Sequence, residues 1–289
     1  MNTANTSAGR VSMRSIVHPT DFSHGSDVAF AHALKLTLGT AGDLEILHVD
    51  RDRQRSDWSR YPSVRRLLFQ WDVLPENAEK RDVARLGVNI SKSVCTDAAT
   101  ASGVLDHLNR QDADLVVLAT HQRSGLDRWM HGSVAKYVAN RCNAATLFVP
   151  YGIEGFVNQA SGAVSLRHIL VPVDVRPDAQ VAVNAAATLV DAVATEPVEV
   201  ELLHVGDPAS LPGLQLPDSE WCRWRWTTIP GETVDTICHT TELQDSDLVI
   251  MTTDGHDGFL DALRGSTSER VLQRVKCPLL SVHNTPPSG

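Results

Sequence analysis

The segment Asp114-Leu-Val-Val-Leu-Ala-Thr-His-Gln-Arg-Ser-Gly125 recurs, altered but without a gap, as Asp247-Leu-Val-Ile-Met-Thr-Thr-Asp-Gly-His-Asp-Gly258. The same offset of 133 residues carries Gly132-Ser133 onto Gly265-Ser266, and Leu147-Phe148-Val149 onto Leu280-Ser281-Val282. Nearer the N-terminus, Ser15-Ile-Val-His-Pro-Thr-Asp21 matches His168-Ile-Leu-Val-Pro-Val-Asp174. Leu47-His48-Val49 likewise matches Leu203-His204-Val205. Self-similarity in a fixed order marks a duplicated unit, so the chain reads as two copies of one domain.

Each copy alternates strand and helix. Ile16-Val17, Leu44 to Val49, Leu115 to Ala119 and Thr146 to Val149 are short apolar runs rich in branched residues. Strands covered on both faces of a parallel sheet have that composition. Val28 to Leu38 has apolar residues near helical spacing, and Gly39 reads as its stop. Ser133 to Arg141 reads as a second helix, with Val134, Tyr137 and Val138 on one side. This rhythm implies an α/β fold: two tandem doubly wound, Rossmann-like parallel sheets. Such sheets take ligands beyond the carboxyl ends of their strands, where the strand order reverses.

Composition narrows the function classes. With 289 residues, 42% hydrophobic and 21% charged, the chain is long and mixed enough for two globular domains. A formal net charge of −9 argues against sequence-independent binding to nucleic acid, which needs cations to neutralise phosphates. The five cysteines (Cys95, Cys142, Cys222, Cys238, Cys277) show neither C-x-x-C pairing nor metal-ligand spacing. They read as small packed residues in a reducing, cytoplasmic compartment. No apolar run approaches a bilayer span, and Met1 to Ser12 lacks the apolar core of a secretory signal.

The stretch from Ala119-Thr120-His121 through Gly132-Ser133-Val134-Ala135 resembles the nucleotide-binding signature of universal stress proteins, G-x2-G-x9-G-[S/T]. Pro19-Thr-Asp-Phe-Ser23, the Leu-His-Val strand ends and Arg123-Ser-Gly-Leu126 extend the resemblance from about Arg14 to His283. It implies an ATP- or AMP-binding site, with Mg2+ in the case of ATP. In that family, the loop and helix N-terminus hold phosphates while the Asp after the first strand lies near ribose and base. Free backbone N–H groups at a helix start attract phosphate, and glycine lets backbone approach it.

Carried onto this chain, the first-copy site comprises Pro19, Thr20, Asp21, Val49, Ala119, His121, Gln122, Arg123, Gly132, Ser133 and Val134. The second comprises Asp174, Val205, Thr252, Gly255, Gly265 and Ser266. Both depart from the signature. Ala119 and Gln122 stand for the first two glycines in one copy, and Thr252 for the first glycine in the other. Asp254, Asp257 and Asp261 in or beside the second loop would repel a triphosphate without a metal ion. The first copy offers Arg123 and His121 instead, which favours it. His18, His48 and His121 near strand ends suggest a metal, but no acidic or cysteine partner supports one. Asp21 reads as a ribose or loop acceptor, or a cap for the turn. Ser133 lacks a nucleophile elbow, so it reads as a helix N-terminal serine.

Residues 50–85 form an insertion that the second copy lacks, with Val64, Leu67, Leu68 and Trp71 at amphipathic spacing between Pro62-Ser63 and Pro75. It is expected to cover the sheet end or the junction, or to act as a lid in which Arg65 and Arg66 face an anion. Trp221, Trp224 and Trp226 read as packing beneath an edge strand or as a partner patch. The expected organisation is a disordered start (1–13), a first domain (14–150), a linker strap (151–165) and a second domain (166–285). By the resemblance, Thr146 to Val149 and Leu279 to Val282 meet across a pseudo-two-fold axis, and the pseudo-dimer can pair again. Two function classes result. One is a nucleotide-responsive stress protein with at most slow ATP hydrolysis; the other is a nucleotide-free adaptor acting through protein partners. No acid/base pair or nucleophile constellation points to a fast enzyme.

Overall fold

Ten strands form one continuous sheet in the computed structural model, which describes residues 11–50, 57–95, 105, 107–108, 110–120, 144–253 and 267–284. The first half contributes β1 (Ser15–Thr20), β2 (Asp43–Val49), β3 (Asn89–Cys95), β4 (Leu115–Thr120) and β5 (Ala145–Pro150). The second contributes β6 (His168–Pro172), β7 (Val198–Val205), β8 (Cys222–Ile229), β9 (Leu248–Thr253) and β10 (Leu279–His283). Across the sheet the order is β3-β2-β1-β4-β5-β10-β9-β6-β7-β8. Each half is thus the same doubly wound unit, and the second is the first turned end for end.

Neighbouring strands are parallel throughout each half, and only β5 and β10 run antiparallel. At that seam Leu147 lies opposite Leu280, its own counterpart in the duplication. Thr146 faces Ser281 and Phe148 faces Leu279 on either side. The pseudo-two-fold therefore passes through the Leu147–Leu280 pair, the pattern of an isologous interface. Pairing here also removes two open strand edges.

Each half holds five strands where the apolar runs indicated four. The missed strands are the outermost ones, β3 and β8. In β3 (Asn-Ile-Ser-Lys-Ser-Val-Cys) no residue is fully buried, so no apolar run marks it. In β8 Arg and Trp alternate, and Trp224 and Trp226 lie within the edge strand itself rather than beneath one. Trp221 and Trp224 pack on the core, while Trp226 remains exposed.

Among the described residues the helices are α1 (His24–Thr40), α2 (Val64–Gln70), α3 (Lys80–Ala84), α4 (Gln180–Val193), α5 (Thr233–Leu243) and α6 (Thr267–Leu272). Ser23 caps α1 by accepting from the Ser26 N–H. The helix does not stop at Gly39. It runs to Thr40 and closes on Ala41 in the left-handed region (φ 47°), with the Gly42 N–H bonding back to the Thr37 carbonyl. Gly39 serves a different purpose. A β-carbon there would lie 1.9 Å from the carbonyl oxygen of Ala192 on α4, so glycine permits the two helices to touch across the halves.

Apolar layers cover both faces of the sheet, and neither stops at the seam. Ile16, Leu147, Ile169 and Leu280 share one layer with α1 and α4; Val17, Leu118, Leu170 and Leu279 share the other with α5. The connection between halves is clipped down as well. Phe156 and Val157 are fully buried, and Val157 bridges to Val164. The Val157 N–H donates to His32 Nε2 of α1 (3.2 Å), with the His32 ring edge-on to Phe156. Limited proteolysis of the full chain is therefore expected to give no pair of stable halves. Clean release of two folded fragments would contradict the continuous core.

The insertion covers the junction. Leu67, Leu68 and Trp71 are buried, and Trp71 Nε1 donates to the Gln159 carbonyl of the connection (2.9 Å). Helix α2 ends at Gln70, before Pro75, and Arg65 donates to the Ala78 carbonyl within the insertion. Residues 12–14 are tied to the first domain. The Ser12 hydroxyl and the Arg14 N–H both bond Asp114, and Met13 is buried. Residues 1–10 lie outside the described residues.

Candidate functional site

The crevice follows from where strand pairing ends. β1 lies between β2 and β4, but its ladder with β4 covers only Ile16–Leu115 and Val17–Val116. Beyond those pairs the strands part, which is where an open α/β sheet admits ligands. β6 and β9 part in the same way after Leu170–Val249. In the first half the parted backbone is satisfied by a side chain: His18 Nδ1 donates to the Val117 carbonyl (2.9 Å). Its Nε2 lies 3.2 Å from Ser26 Oγ, which donates to Thr20 Oγ1. His18 is completely buried, and desolvation takes its pKa down to about 4. It is a core residue of the crevice wall, bonded to β4 and α1. Among the described residues no group of three or more His, Cys, Asp or Glu could hold a metal ion. His121 lies outside them.

The strand ends carry a device shared by both halves. His48 Nδ1 donates to the Thr20 carbonyl (2.8 Å), and His204 Nδ1 donates to the Val173 carbonyl (3.2 Å). Each histidine of the repeated Leu-His-Val thus pins a carbonyl at the exit of the neighbouring first strand, Thr20 at the end of β1 and Val173 one residue past β6, and fixes the turn that follows. In the first turn Asp21 accepts from the Ser23 N–H (2.9 Å), so it is a loop acceptor and Ser23 is the helix cap. In the second, Asp174 accepts from the Val175 N–H.

The expected site residues fall at these ends where they are described. Pro19 and Thr20 close β1, Asp21 is exposed just beyond, Val49 ends β2, and Ala119 lies next to last in β4. Asp174, Val205 and Thr252 hold the corresponding places in the second half. The phosphate-loop residues His121, Gln122, Arg123, Gly132, Ser133 and Val134 lie outside the described residues, as do Gly255, Gly265 and Ser266. Cys238 and Cys277 are held as thiols by burial, Cys277 up to about 12, consistent with packing roles.

Sequence reading passed over one pair of residues. Thr120, the last residue of β4, is buried, and its Oγ1 has no hydrogen-bond partner among the described residues. Its counterpart Thr253 has partners inside the fold: Oγ1 lies within 3.4 Å of Ser281 Oγ, the Val282 carbonyl and His283 Nδ1. His283 stands where the first half has Pro150, which offers no such group. Only a comparison of the two repeats position by position could have drawn attention to this exchange.

The family model of the Universal stress protein family matches residues 13–150 and 223–283. The chain belongs to that family. A universal stress protein from Archaeoglobus fulgidus DSM 4304 superimposes with a TM-score of 0.63 at 16% identity, covering 96% of this chain and 99% of that one. A protein of unknown function from Pseudomonas aeruginosa PAO1 gives 0.57 at 14% identity, with 94% and 93% covered. At these identities the likeness concerns the fold. A search of the curated proteins finds no match. No helix among the described residues is long and apolar enough to cross a membrane.

Proposed function

We propose that this universal stress protein is a cytoplasmic, nucleotide-responsive regulator whose first half holds ATP or AMP, with Mg2+ accompanying ATP, as a switch rather than a high-turnover catalyst. The observation that carries this reading is the buried, unpartnered hydroxyl of Thr120 at the crevice. Buried polar groups in native folds have partners, and an exception calls for a missing one. A ligand seated between the ends of β1 and β4 supplies it. In this reading Asp21, exposed just beyond β1, and Val49 at the end of β2 meet the ribose and base. The second half differs at the matching position, where the Thr253 hydroxyl is already satisfied, although the buried Thr252 Oγ1 beside it also lacks a partner among the described residues.

Acid denaturation of the purified protein is expected to release adenine nucleotide, and millimolar Mg-ATP should raise Tm, since a ligand bound only by the native state must stabilise it. Thr120→Val should raise the ligand-free stability by about 1 kcal/mol by removing an orphan hydroxyl, yet abolish the Mg-ATP shift. Thr253→Val should cost about 1 kcal/mol and leave that shift in place. An unchanged Tm with Mg-ATP in the wild-type chain, and no released nucleotide, would sink the proposal.

A further inference from the structure

We propose that the insertion of the first half is a clamp on the ligand site: Tyr61 and Arg60 hold the Asp21–Phe22 turn in a left-handed conformation and so set where Asp21 stands. Its consequence for binding rests on the nucleotide reading above; the clamp itself does not. Phe22 has φ 63°, a region that residues with a β-carbon seldom enter. Such conformations persist where the surroundings over-determine them, and they gather at ligand sites and switches.

Here the surroundings are specific. The Phe22 ring lies on the His48 ring at 4.1 Å between centroids, the Arg60 guanidinium sits over it at 4.6 Å, and Tyr61 meets it edge-on at 5.3 Å. Tyr61 is itself anchored. It is 4% exposed, its hydroxyl donates to the Ser93 carbonyl of β3 (2.7 Å), and Trp58 stacks on its outer side. A continuous path of contacts thus leads from the edge strand through Tyr61 and Phe22 to Asp21. Phe22 N–H donates to Thr20 Oγ1, and the left-handed Phe22 then aims the following Ser23 N–H at Asp21.

The second half is the internal control. There Val175 follows Asp174, lies 60% exposed, and is not among the residues with positive φ. Among the described residues no aromatic ring is packed on it, and the second half lacks the insertion. The turn is left-handed only in the half that has the clamp.

Amide hydrogen exchange of the full chain tests this directly, with Mg-ATP titration alongside. Tyr61→Ala should speed exchange at the Phe22 and Ser23 amides about tenfold, the order expected when a strained turn loses its support. Tyr61→Phe keeps the ring but loses the bond to Ser93 and should fall between; it decides the matter if the alanine variant does not fold. Adding Phe22→Gly to Tyr61→Ala should restore protection of the Ser23 amide, because glycine enters the left-handed region freely. Mg-ATP affinity should weaken with Tyr61→Ala and recover with the double variant. Unchanged protection in both single Tyr61 variants overturns the clamp. Altered protection with no Mg-ATP binding by any chain, wild type included, leaves the clamp standing and defeats the nucleotide reading instead.

Discussion

Unfolding free energy should fall by about 3 kcal/mol for each of two imidazoles, His18 and His32, as the pH is taken from 7 to 4. Both side chains are completely buried, and desolvation, offset in part by a backbone hydrogen bond, lowers each pKa from 6.5 to about 4. Their bonding explains why they stay neutral. His32 Nδ1 donates to the Val28 carbonyl, while Nε2 accepts from the Val157 N–H. A second ring proton would set one donor against another. In the unfolded chain these rings take up protons near pH 6.5, so between 6.5 and 4 the unfolded state binds more protons. Stability therefore rises with pH through that window, and is lost as pH falls through it. Urea titrations at pH 7, 5.5 and 4 check this against His32→Gln, which removes one titrating group. The variant should be weaker at pH 7 yet lose less on acidification; parallel pH curves for the two chains would refute the assignment.

Replacing Gly39 with leucine should destabilise the chain by about 3 kcal/mol, and with alanine by about 2, as over-packing does in a close-packed interior. Helix propensity alone predicts the opposite sign, since alanine gains about 1 kcal/mol over glycine inside a helix. What decides is the Ala192 carbonyl, 1.9 Å from where the new β-carbon would stand. Backbone cannot rotate away as a side chain can, so α1 and α4 must separate and the shared core with them. Equilibrium denaturation of Gly39→Ala gives the answer in one sign: a stabilised variant would mean that the two helices do not meet as described.

These two residues also show what could be read in the sequence and what could not. The duplication and the doubly wound sheets were legible because buried strands leave continuous apolar runs and the repeat keeps its register; the β5–β10 seam was expected from the family resemblance alone. β3 and β8 were not, because an edge strand has one side toward water and needs no such run. Gly39 was read as a stop from local chemistry alone; its true constraint comes from a residue 153 positions away. At the candidate site, Asp21, Val49 and Ala119 could be placed at or beside strand ends because the apolar runs stop there. Thr120 could not, since a threonine says nothing of whether its hydroxyl has found a partner. The clamp was equally silent: Tyr61 reaches Phe22 only because residues 57–61 fold back over three strand ends.

The Leu147–Leu280 pair on the pseudo-two-fold carries an evolutionary consequence. In a dimer of identical chains, any substitution beside the axis appears twice, and both copies bear its effect. Covalent fusion ends that doubling: Ser281 and Thr146, or His283 and Pro150, can change one at a time. A lineage with this architecture is free to keep one crevice for a ligand while the other is filled from within, and the seam between them carries no record of which half changed first.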